Sequence, residues 1–145
     1  MHKLSIVLAA AAMMSVAAAG ITATAEPQAE PSSANRVTHW ELSHGGAHAE
    51  GDIYWGSGYS AYASGRFKAA GNVSKICYSG SAGELGAGGG CTTVKPGRTE
   101  PIAYRFFVKT EGGVHRVDVS LFADGQEHPV SSLYCTREGC EHLPD

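Results

Sequence analysis

The feature that most constrains this chain is a stretch of strict alternation bent around two glycines. Thr38, Trp40 and Leu42 alternate with polar residues, Gly45-Gly46 follows, and Ala47, Ala49, Gly51, Ile53 and Trp55 alternate on the far side. A period of two sends every second side chain to one face of a pleated strand, and a Gly-Gly pair supplies the positive φ angles of a two-residue hairpin turn. With His44 opposite Ala47, Trp40 faces Gly51, Leu42 faces Ala49 and Thr38 faces Ile53, so one face is apolar. The other face carries Val37, His39, Glu41 and Ser43 opposite Tyr54, Asp52, Glu50 and His48. A slip of one residue would exchange the two faces, so the pattern specifies its register.

The same alternation recurs along the chain. Tyr59, Ala61, Ala63, Gly65 and Phe67 predict a third strand, with Ser60, Tyr62, Ser64 and Arg66 on its opposite face and Gly56-Ser57-Gly58 as the turn before it. Val73 to Tyr78 and Cys91 to Lys95 read as short strands joined by a glycine-rich loop from Ser79 to Gly90. Ile102, Tyr104, Phe106 and Val108 form one further apolar face, Val117, Val119 and Leu121 another, and Val130 to Cys135 the last strand. Nineteen glycines penalise helix, and no window after the leader carries a helical stripe. The expected fold is all-β, a small antiparallel β-sandwich or small barrel of about eight short strands. No repeat argues for a propeller or solenoid.

Residues 1–25 read as a cleaved signal peptide. Met1-His2-Lys3 is a short positive start, Leu4 to Ala19 is apolar or small apart from two serines, and Ala23-Thr24-Ala25 puts small residues where signal peptidase inspects them. The cut is expected before Glu26, with Ala17-Ala18-Ala19 as an earlier alternative. A spanning helix needs about 20 predominantly apolar residues, more than the strongly apolar part offers, so no stable membrane insertion is expected after cleavage. Residues 26–35, rich in Pro, Ala, Glu and Ser, read as a flexible tether, and residues 36–145 as a single β domain.

Export also bears on the cysteines. Four of them, Cys77, Cys91, Cys135 and Cys140, form an even set in an exported chain, which reads as two disulfides. Three connectivities are open, and proximity in sequence favours Cys77 with Cys91 and Cys135 with Cys140. A competing use, a metal site of Cys135, Cys140 and His142, does not have zinc-finger spacing.

Loss of Lys3 leaves 10 basic against 14 acidic residues, a net charge near −4 with no basic stripe. Nucleic acid and anionic lipid surfaces reward clustered positive charge, so neither is an expected partner. No cofactor is expected, and the partner is read as an unknown extracellular ligand or protein.

Several groups are candidates for a site. The outer face of the first hairpin gathers His39, Glu41, His48, Glu50 and Asp52, whose imidazoles and carboxylates suit a divalent metal; Glu41 opposite Glu50 would repel without a cation or His48 between them. The bland alternative is a solvated strand face. Ser43 opposite His48 offers a nucleophile and base, but a third group and an oxyanion donor pair are needed for catalysis. Gly86 to Gly90 leads into a β run rather than a helix, so it is not read as a phosphate loop. Tyr54, Trp55, Tyr59 and Tyr62 form a possible aromatic platform for a sugar ring, a peptide or a protein, unless a second sheet covers them. Arg137, inside the tight Cys135–Cys140 loop, could act as the bait of a protease inhibitor, or the loop could be a staple that stops fraying.

A long cysteine loop followed by a Cys-x4-Cys loop resembles small secreted β proteins such as enediyne-carrier apoproteins and subtilisin inhibitors, and the Gly/Ala-rich composition fits a high-GC bacterial source. The residues around the cysteines do not match either family's motifs, so no site residue is carried over. The expected function is that of a secreted, non-enzymatic binding or interaction module, with metal binding and protease inhibition as alternatives.

Overall fold

Gly45 and Gly46 adopt φ angles of 56° and 87° and close the first hairpin as the alternation requires. In the computed structural model, which describes residues 36–56 and 58–144, nine strands follow one another: β1 (Val37–His44), β2 (Ala47–Trp55), β3 (Ser60–Lys68), β4 (Val73–Ala82), β5 (Leu85–Thr93), β6 (Thr99–Phe107), β7 (Arg116–Ala123), β8 (Ser131–Thr136) and β9 (Gly139–His142). The expected leader and tether lie outside the described residues.

The strands form two antiparallel sheets, one in the order β1-β2-β3-β6 and the other β5-β4-β7-β8-β9. The expected all-β sandwich with two disulfides is what the chain forms. Every pair anticipated for the first hairpin is present, from His44 opposite Ala47 to Val37 opposite Tyr54. The chain leaves the first sheet after β3, builds the β4-β5 hairpin in the second, returns for β6, and crosses again to β7.

The core lies between the sheets. Trp40, Leu42, Ile53, Trp55, Phe67, Ile102 and Phe106 of the first sheet meet Ile76, Val117, Val119, Leu121 and Leu133 of the second, all buried. A fully buried side chain of this size stabilises by about 1.5–3 kcal/mol, enough that the pattern fixes which face turns inward. Gly51 lies between Trp40 and Gly65 in the first sheet. A Cβ at Gly51 would stand 2.1 Å from the Ser64 carbonyl oxygen, so β2 and β3 approach at a distance that only glycine permits.

Two departures from the sequence reading concern glycine. The Ser79–Gly90 segment, expected as a loop, is mostly strand: β4 continues to Ala82, turns at Gly83-Glu84 and returns as β5, with a bulge between Ser79 and Ser81. A ladder is made by backbone groups, so glycines can join it without contributing a side-chain pattern. β9 adds a strand that the sequence reading did not count.

The disulfides follow proximity. Cys77–Cys91 bridges opposed residues of β4 and β5, and Cys135–Cys140 bridges β8 and β9. With both sulfurs of the second pair joined, Cys135 and Cys140 have no thiolates to offer a metal alongside His142.

Candidate functional site

The second sheet covers the inner face of the first, and among the described residues no element covers the outer face of β1-β2-β3-β6. Alternation then places Val37, Tyr54, Tyr62 and Arg105 in one row across its four strands. The Tyr54 and Tyr62 rings are 6.2 Å apart and tilted by 37°. Arg105 places its guanidinium carbon 5.9 Å from the Tyr62 ring centroid, within cation–π range. One row further, Phe107 opposes Ser60 and meets Tyr59 edge-on, with ring centroids 6.1 Å apart. Val37, Tyr54, Tyr59, Tyr62 and Phe107 make up five of the six large hydrophobic side chains exposed among the described residues, the sixth being Leu85. Tyr54, Tyr62 and Arg105 wall a concavity of about 310 Å³ that reaches down to Gly56, Ser60 and Ala61.

Trp55, included in the expected platform, borders the same concavity but offers no exposed ring to it. It is 1 % exposed and in phase with Ile53, so its ring points into the core, where Nε1 donates to Thr38 Oγ1 at 2.8 Å. Arg105 and Phe107 were missed. Their signal was that they fall out of phase with Ile102, Tyr104 and Phe106; what the sequence did not reveal was that β6 pairs with β3.

The opposite end of the same face is charged. His39 Nδ1 lies 3.1 Å from Asp52 Oδ1, and Ser43 Oγ is 2.8 Å from His48 Nδ1. His48 Nε2 is 3.5 Å from Glu50 Oε2, while Arg66 donates through Nε and Nη2 to Glu50 Oε1 at 3.1 and 2.9 Å. The Arg66 guanidinium, and after it His48, hold the Glu50 carboxyl below its usual range. The cation that opposed Glu41 and Glu50 require is therefore in part the chain's own. Ligand atoms of His39, Glu41 and Glu50 lie within 4.8 Å of one another, whereas His48 and Asp52 do not join that group. Ser43, His48 and Glu50 form a hydrogen-bonded string at the hairpin's end, with the histidine and Ser43 both on an exposed strand face.

A second recess, of about 470 Å³, lies on the outer face of the other sheet above Cys77–Cys91, between Phe122 and Asp118. Of its two aromatic lining residues Tyr78 is buried, and Phe122 has Lys75 Nζ 4.9 Å from its ring centroid. Beside it Arg116 forks onto Asp118, the shortest contact being 2.6 Å, and lies 4.0 Å over the Tyr134 ring. The sequence carries no trace of this recess, because only the pairing of β4 with β7 sets Phe122 beside Lys75.

Arg137 is not displayed as a protease bait. It donates to the Val114 and Gly56 carbonyl oxygens, each at 3.2 Å, and its guanidinium carbon is 5.4 Å from the Trp55 ring. The tight loop turns its arginine back onto the body of the fold.

Fold and surface together define a two-sheet antiparallel sandwich with aromatic and charged ends on one open face. The chain matches no known family model, no curated protein and no solved structure. Among the described residues no helix is long and apolar enough to cross a membrane.

Proposed function

We propose that this chain is a secreted, non-enzymatic binding module that takes its ligand on the outer face of β1-β2-β3-β6. One observation carries the reading: among the described residues, five of the six exposed large hydrophobic side chains gather at one end of one sheet face, around a concavity. Apolar rings left exposed on a rigid ladder forgo the stabilisation their burial would give, and a cluster of them marks an interaction surface; tyrosine offers large contact area with few torsions to freeze. The leader and the cysteine content support an extracellular address.

The test is retention on insoluble polysaccharides and cell walls. The parent protein is expected to be retained, and the Tyr54→Ala/Tyr62→Ala double variant to wash through. Equal retention of both proteins removes the aromatic face from the reading.

A second reading, divalent-metal binding at His39, Glu41 and Glu50, is favoured by the convergence of their ligand atoms. Against it, Glu50 already accepts from Arg66, which a metal would have to displace. Metal analysis of untagged protein separates the two, since the platform reading expects no stoichiometric ion.

A further inference from the structure

We infer that the ligand of the aromatic face is an anionic polysaccharide, a sugar ring resting on Tyr54 and Tyr62 while its carboxylate is taken by Arg105. The inference rests on the binding-module reading and adds the chemical class of the ligand.

Three observations converge on it. The first is the partner that Arg105 lacks. Arg36, Arg66 and Arg116 each lie within 4.0 Å of a carboxylate, whereas Arg98, Arg105 and Arg137 have none among the described residues; Arg137 donates to two backbone carbonyls, and Arg105 is the one that stands in the aromatic row, exposed on the same face as Arg66. A guanidinium presents a planar fork of donors that matches a carboxylate, and here the group touches only the edge of cation–π range over Tyr62, at 5.9 Å, with no carboxylate on its donors among the described residues.

The second is its position. Arg105 extends the row that holds Tyr62 and Tyr54, and all three line one concavity of about 310 Å³. The C–H face of a pyranose packs on an aromatic ring, and a ring acid projects from the sugar's edge, so stacking on tyrosine brings the acid toward a cation beside that ring. Ser60, also lining the concavity, adds a hydroxyl at its floor.

The third is the field around the site. Asp52 is held by His39 and Glu50 by Arg66. These two acids and Glu41, the third on this face, lie in other rows, two strands or more from β6, which is roughly 10 Å or more on sheet spacing and beyond the Debye length of about 8 Å at physiological salt. An anion at Arg105 therefore meets its attraction at close range and the acids' repulsion only after screening. A protein partner would use the same rings without requiring a free cation at the end of the row.

The experiment compares polygalacturonate with its fully methyl-esterified form, polymers of the same sugar ring with and without the charge, by affinity electrophoresis. The parent protein is expected to bind polygalacturonate about tenfold more tightly, the size of one charge-assisted contact, with the preference falling as salt rises. Arg105→Gln should bring the two affinities together, Arg105→Lys should restore part of the difference, and Tyr62→Ala should weaken both polymers. Arg105 is exposed, so these variants test recognition rather than folding. Equal, tyrosine-dependent binding of both polymers overturns the anionic class and leaves the binding-module reading intact. Failure to bind either polymer also overturns the inference, and if cell-wall retention fails with it, the binding-module reading falls too.

Discussion

The Trp55 indole donates to the Thr38 hydroxyl at 2.8 Å, and that hydroxyl donates in turn to the Thr136 carbonyl, also at 2.8 Å. The short relay ties β1, β2 and β8, and so joins the two sheets through polar atoms inside an apolar core. Thr38→Val keeps the shape and removes both bonds, leaving a buried N–H without its acceptor. The expected loss is about 1–3 kcal/mol, read as a lower urea midpoint at unchanged slope. Thr38→Ser, which keeps the oxygen, should recover most of it; equal losses would assign the effect to packing.

Gly51→Ala is expected to destabilise by about 1–3 kcal/mol, because the new Cβ meets the Ser64 carbonyl and the Gly65 Cα, backbone atoms that move only if the strands part. Gly58→Ala, where a Cβ meets nothing within 4 Å, should stay within about 0.5 kcal/mol. Thermal melts of the two variants check the contrast, and similar melting temperatures would contradict the close approach of β2 and β3.

The disulfides should differ in worth. Their separations of 14 and 5 residues correspond, by loop entropy, to about 3 kcal/mol for Cys77–Cys91 and about 2 kcal/mol for Cys135–Cys140. Paired cysteine-to-alanine variants, compared by denaturant unfolding, are expected to rank in that order.

Glu50 supplies a test in acid. Folding lowers its pKa, so the stability it contributes is full above the ordinary value of 4.5 and is lost as pH falls through the lower folded value. Arg66→Gln removes the largest cause and should move the Glu50 titration upward, since Glu41 still faces it. Carboxyl carbon shifts followed by NMR against pH report the change directly; an unmoved midpoint would rule out Arg66 as the cause.

Arg137→Ala should cost about 1–2 kcal/mol, through two carbonyl contacts and the stack on Trp55. Chemical denaturation checks it, and a neutral substitution would mean that the arginine is solvated in solution.

What the sequence made legible follows from where side chains carry a pattern. The register of β1 against β2 could be written residue by residue, since a two-glycine turn and a period of two leave one solution. The burial of Trp55 was equally legible, because it continues the phase of Ile53; proximity to Tyr54 in sequence obscured that it points the other way. Pairing between distant strands left no such trace. Nothing in Tyr62 or Arg105 alone says that β3 neighbours β6, and that neighbourhood is what brings the guanidinium to the ring. The glycines of β5 were silent for a different reason, since a ladder built of backbone groups does not require any particular side chain.

The parity of β2 and β3 also bears on how this surface can change over time. Core residues and outward residues occupy alternate positions of the same strands, so a substitution at Tyr54, Tyr62, Glu50 or Arg66 leaves Ile53, Ala63 and Phe67 untouched. Selection can rewrite the aromatic row and the charged rows independently, on a scaffold whose stability is decided on the other side of the sheet.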